Sequence, residues 1–192
     1  MKIALLFTGD LLYRDGIALT FSFDKLQPAI NLYNKDLNKQ KLCLMLIRNL
    51  LTSETKHKNL EEFELGISIL IERLDCFSDN NVIFGNIALI LKDSLERVSY
   101  IPAILQEARF LDSLSSGVTR HYLDLRVCIH ILMLMRRMRD LDNQIRGRIK
   151  NDLDIKRELR EVSAYYTAEF RPRTEDEKKL STDLLSLFKE LL

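Results

Sequence analysis

Within ten residues, His121, Cys128 and His130 supply side-chain types that bind zinc or carry out nucleophilic chemistry. One zinc ion needs such ligands to converge. On a helix, positions 121 and 128 share a face, whereas 130 lies about 200° round from 128. A single ion therefore cannot use all three, and the spacing predicts Cys128 in the core and His130 packed or hydrogen-bonded. His57, within Lys56-His57-Lys58, has only charged neighbours and reads as solvated. The carboxylate pairs Glu61-Glu62 and Asp152/Asp154 could share acid–base work only where their surroundings separate their pKa values. At helix starts they instead serve the helix dipole. No Gly-x-Gly-x-x-Gly, Gly-x-x-x-x-Gly-Lys, Gly-x-Ser-x-Gly, His-Glu-x-x-His or Cys-x-x-Cys is present, and all six glycines are isolated. The expectation is a non-enzymatic chain with no catalytic residue, no cofactor and no metal.

Charge is the other chemical signal. Residues 120–173 carry 13 basic and 8 acidic side chains, while the segments on either side are each net −2. Eleven of the 13 are Arg, whose planar fork suits phosphate and carboxylate. On one continuous helix Arg139, Arg146, Lys150 and Arg157 fall within about 40° of one another, with Arg136 to one side, along about 27 Å. This stripe, with Arg171 and Arg173 beyond it, is the candidate partner-binding or nucleic-acid-binding surface, and Tyr165, Tyr166 and Phe170 are its candidate stacking groups. The competing reading is a solvated helix with ordinary ion pairs, Arg136 with Asp140 and Arg139 with Asp142, and with the aromatics anchoring a linker. A further candidate is the apolar face Leu184, Leu187, Phe188 and Leu191, which either docks on its own core or enters a partner's groove. Met133, Met135 and Met138 read as core filler.

The elements that position these residues are helical. With 192 residues, 46% hydrophobic and 30% charged side chains and a net charge of +1, the composition excludes a disordered chain, and 6 Gly with 3 Pro exclude a collagen-like one. It fits one domain over 1–192, or at most two small ones. Three cysteines, Cys43, Cys76 and Cys128, each in an apolar helical pattern, point to reduced core residues in an intracellular protein, cytoplasmic or nuclear. No apolar run approaches the ~20 residues of a spanning helix, so no membrane is expected.

Residues 1–24 give mixed signals and their state stays open. Leu26, Ile30, Tyr33 and Leu37 then begin a face that continues into Leu42 to Leu51, a stretch apolar almost all round. After a polar loop at 52–59, Leu60 to Phe77 and Val82 to Val98 read as helices. Pro102 opens another that carries Ile104 to Leu114 and stops at Ser115-Ser116-Gly117. The longest pattern starts at Thr119 and runs to about Val162. Unbroken it would measure about 64 Å against a globule of about 42 Å, so it projects or it breaks, at Gly147 or at Asn151-Asp152. After the Arg171-Pro172-Arg173 link, Thr174 with Glu177 forms a capping box for a last helix over 174–192.

About seven helices result, in a compact bundle or a short helical stack. Leu46 to Leu51 and Gly85 to Leu91 are loosely similar to inner-helix segments of armadillo or HEAT repeats, with Asn49 and Asn86 37 residues apart; the likeness covers under a tenth of the chain. The expected function is a soluble protein–protein interaction domain, a scaffold, adaptor or subunit of an intracellular complex. The alternative is a nucleic-acid-associated protein using the Arg stripe in 136–160. A protein is the first partner expected, and homo-oligomerisation stays open.

Overall fold

The computed structural model describes residues 22–32, 36–53 and 59–192. Residues 1–21, Tyr33 and His57 lie outside the described residues. The fold is all-α, with ten helices and no strand among the described residues. The count exceeds seven because helices that read as continuous are interrupted. The chain divides into two compact units, 1–76 and 77–192.

The first unit holds α1 (Phe23–Leu32), α2 (Leu37–Leu51) and α3 (Leu60–Cys76). The apolar face shared by α1 and α2 does not make them one helix. Asp36 intervenes: its carboxylate accepts the Lys39 N–H at 3.1 Å and so caps α2. That bond holds the Asp36 carboxyl below its ordinary pKa. Gln40, fully buried, donates its side-chain amide to the Ile30 carbonyl at 2.7 Å and ties α2 to α1. Gly66 lets α3 approach both, since a Cβ there would stand 2.7 Å from Leu51 and 2.8 Å from Phe23. Two expectations change here. Met45 and Arg48 are exposed, so α2 is not buried all round, and Cys76 ends α3 exposed rather than in the core.

The second unit contains α4 (Asn81–Leu95), α5 (Ala103–Gln106), α6 (Ala108–Arg120), α7 (Leu125–Leu141), α8 (Asn143–Asn151), α9 (Leu153–Ala168) and α10 (Glu175–Leu191). Hydrogen bonds fix their directions. Asn81 Nδ2 donates to Asp124 at 2.8 Å near the starts of α4 and α7, and Arg137 donates to the Leu95 carbonyl at 2.8 Å near their ends, so the two run parallel. Arg136 meets Glu190 at 3.3 Å, which sets α10 parallel to α7. Ser116 donates to Glu158 at 3.2 Å, and the Tyr166 hydroxyl donates to the Tyr122 carbonyl just past α6, so α6 and α9 run parallel to each other. Both run against α7, because Cys128 near its start lies against the end of α6. The result is a stack of two layers, α4–α7–α10 and α6–α9. Several bonds between helices close similar spans: 81 to 124, 78 to 121, 85 to 130 and 122 to 166 span 43, 43, 45 and 44 residues, while 112 to 148 spans 36 and 136 to 190 spans 54. The spacing of 37 between Asn49 and Asn86 is not one of these spans; the two residues belong to different units.

Helix ends in this unit depart from the sequence reading for local reasons. Ser115-Ser116-Gly117 does not stop α6; it lies inside the helix, and Gly117 is there because a Cβ would come within 2.6 Å of the Phe84 ring. Glu107 turns extended (ψ 135°) and separates α5 from α6. The long pattern after Thr119 breaks three times. Asp124, Asp142 and Asp152 each accept the N–H groups that open α7, α8 and α9. Asn151-Asp152 is thus a break as expected, whereas Gly147 lies within α8.

Gly117→Ala is expected to lower the urea unfolding free energy by about 1–3 kcal/mol, the usual cost of overpacking a full core. Gly147→Ala, whose added methyl meets nothing within 4 Å, is expected to raise it by up to about 1 kcal/mol through helix propensity.

Candidate partner-binding surfaces

The stripe that the Arg-rich segment would form on one helix is not assembled, because Asp142 and Asp152 cut it into α7, α8 and α9. Two of its cations, Arg136 and Arg139, brace the fold, and others are taken up locally. Arg136 pairs with Glu190 at 3.3 Å rather than with Asp140. Arg139 pairs with Asp140 at 2.9 Å rather than with Asp142, and also donates to the Glu190 carbonyl. Arg157 pairs with Asp154 at 2.9 Å. Arg171 donates to its own neighbour, the Phe170 carbonyl, and the backbone N–H of Arg173, not its guanidinium, is taken by the Glu177 carboxylate. Arg148, which the stripe did not include, donates to the Ala108 carbonyl and pairs with Asp112 at 2.7 Å, holding α8 against α6.

Three members still lie together. Arg139, Arg146 and Lys150 line a groove of about 380 Å³ with Ile149, Glu190 and Leu192, at the C-terminal edge of α7, α8 and α10.

The other predicted groups serve packing. Leu184, Leu187, Phe188 and Leu191 are buried, with α10 lying along α7, so that face docks on its own core. Tyr165, Tyr166 and Phe170 form one aromatic cluster with Tyr122, the Tyr122 and Tyr165 rings meeting edge-on at 5.0 Å, and Tyr166 is buried. These rings anchor the link between α9 and α10. Met135 and Met138 are fully buried, and Met133 is half-buried beside a smaller groove.

The opposite edge of the layer carries a site that the sequence reading did not single out. The N-termini of α4, α7 and α10 open together on a recess of about 720 Å³. Leu125, Phe170 and Leu180 give it apolar walls, and Leu123, 69% exposed, stands at its lip. Asp79, Asp124, Asp176 and Glu177 line it together with Arg120 and Arg126. Asp124 and Thr174 are the caps of α7 and α10, so the first N–H groups of those helices are already satisfied. The signal for this recess was weak because it is built from three turns far apart in sequence.

His121 lies in its wall, and His130 lies on α7 a turn beyond Arg126. His121 packs on Phe84, ring centroids 5.2 Å apart, and donates from Nε2 to the Ser78 carbonyl at 2.8 Å. His130 donates from Nδ1 to the Gly85 carbonyl at 3.1 Å. Cys128 is buried, its thiol directed at the His121 carbonyl, and burial reinforced by the Asp124 charge pushes its pKa to about 12. Among the described residues no group of His, Cys, Asp and Glu could hold a metal ion, and no helix is long and apolar enough to cross a membrane.

Burial holds both imidazoles below their ordinary pKa of 6.5. The unfolded chain therefore binds protons that the folded one does not, and the stability they contribute is complete above 6.5 and lost as pH falls from there through the folded-state values. The urea midpoint is expected to drop between about pH 7.5 and 5.5, above the carboxylate range. The drop should shrink in the double variant His121→Gln, His130→Gln; an unchanged slope would assign it to other groups.

Comparison with family models, curated proteins and solved structures finds no match to this chain.

Proposed function

We propose that this chain is a helical protein–protein interaction module, a non-enzymatic adaptor or subunit of a larger assembly, and that the recess at the N-terminal edge of α4, α7 and α10 receives a segment of its partner. The observation that carries this reading is Leu123. A single exposed leucine is ordinary, but this one overhangs a recess of about 720 Å³ with apolar walls. An apolar anchor from a partner would bury Leu123 together with Phe170 and Leu180. The mixed charges on the rim give such a segment both donors and acceptors. Free cysteines at 43, 76 and 128 fit a reducing, intracellular setting. The nucleic-acid alternative needs several uncommitted cations in line, and the ion pairs of Arg136, Arg139 and Arg157 argue against it.

A photoreactive residue placed at 123 in cells is expected to give discrete cross-linked products. The same residue at 153, where Leu153 is 80% exposed away from the recess, is expected to give none of them. Leu180→Arg, which fills the recess, should abolish the products. Identical patterns at 123 and 153, or none at 123, would overturn the reading.

A further inference from the structure

The glycines of the described helices fall into two kinds. A Cβ at Gly66, Gly85 or Gly117 would come within 2.6–2.9 Å of packed side chains of Leu51, Val127 or Phe84. At these three positions the helix penalty of glycine is offset by a close approach inside the chain. Gly147 pays the same penalty and nothing lies within 4 Å of where its Cβ would be. It sits at the middle of the outward face of α8, among the exposed residues Asn143, Arg146, Lys150 and Asn151.

The charges around it are also unspent. Arg136, Arg139, Arg148 and Arg157 are all engaged in ion pairs within the chain, whereas Arg146 and Lys150 make none among the described residues. The acids nearest them in the groove, Asp140 and Glu190, are the partners of Arg139 and Arg136. Lys150 stands in the last turn of α8, where a cation suits the helix dipole; Arg146, a turn earlier, has no such reason.

We propose that this face of α8 is a docking surface for an acidic helix of a protein partner, which crosses over Gly147 and pairs its carboxylates with Arg146 and Lys150. The bare Cα allows a helix axis to approach to the short end of the usual range of about 8–10 Å. A nucleic acid fits less well, because two cations make a short phosphate track and a flexible polyanion gains nothing from an open backbone. The surface lies at the opposite end of the layer from the recess, so it stands or falls independently of it.

The full chain is titrated against a fluorescent Glu/Ala-rich helical peptide, with a single-stranded oligonucleotide of equal charge as the comparison. Saturable binding that weakens with salt is expected. Arg146→Glu with Lys150→Glu should reduce affinity about tenfold, the sum of two partly exposed ion pairs. Gly147→Ala should weaken peptide binding several-fold while raising the urea midpoint, a combination that misfolding cannot produce. No peptide binding, insensitivity to the charge reversal, full affinity in Gly147→Ala, or tighter binding of the oligonucleotide would each overturn the proposal.

Discussion

The Phe84 ring against the bare backbone of Gly117 is the contact on which the second unit depends. It seats the Phe84 ring of α4 against α6, where a side chain at 117 would collide with it. The next residue, Gly85, does the converse: it leaves room for Val127 and seats α7 beside α4. One large residue and one with no side chain, adjacent on α4 and about 100° apart, thus address the two neighbours of that helix. The His121 ring then packs at a tilt on Phe84 and reaches Ser78, and His130 reaches Gly85, so the seam is closed with backbone carbonyls as acceptors.

Running α4, α7 and α10 in one direction has an electrostatic result. Helix N-termini carry partial positive charge and C-termini partial negative charge, so the layer has one edge of each sign. Side chains follow this in part: Asp124, Asp176 and Glu177 stand at the first edge, beside Arg120 and Arg126, and Arg139 and Lys189 near the second, beside Asp140 and Glu190. At the second edge Arg136 and Arg139 of α7 reach Glu190, while Arg148 of α8 reaches Ala108 and Asp112.

The helical class, the core faces and the capping role of Thr174 were legible because each leaves a local mark: a period of three to four residues, or a cap at a fixed distance from the first turn. Glu177 accepts the Arg173 N–H at 2.6 Å, so even the reciprocal bond of the capping box is nearly in its standard place. The breaks at Asp124 and Asp142 were missed because aspartate within an apolar period reads as a surface residue, and only the backbone shows that it caps. Gly117 reads as a stop for the same reason, since a glycine that ends a helix and one that admits a neighbouring ring are identical in sequence. The stripe of Arg139, Arg146, Lys150 and Arg157 rested on continuity that those caps remove. The recess was illegible because Asp79, Leu123, Phe170 and Asp176 meet only after the layers stack.

The offset of 43–45 residues between paired positions bears on how the unit forms. Each crossing contact closes a loop of one helix pair and its link, and the entropic cost of closure grows only slowly with length. Contacts of this kind connect one pair to the next, as in a stack whose units meet their neighbours, while Arg136 to Glu190 spans a longer 54 residues. α7 meets α4, α6 and α10, and its amide hydrogens should be the slowest in the unit to exchange, because it cannot open without releasing helices on both sides.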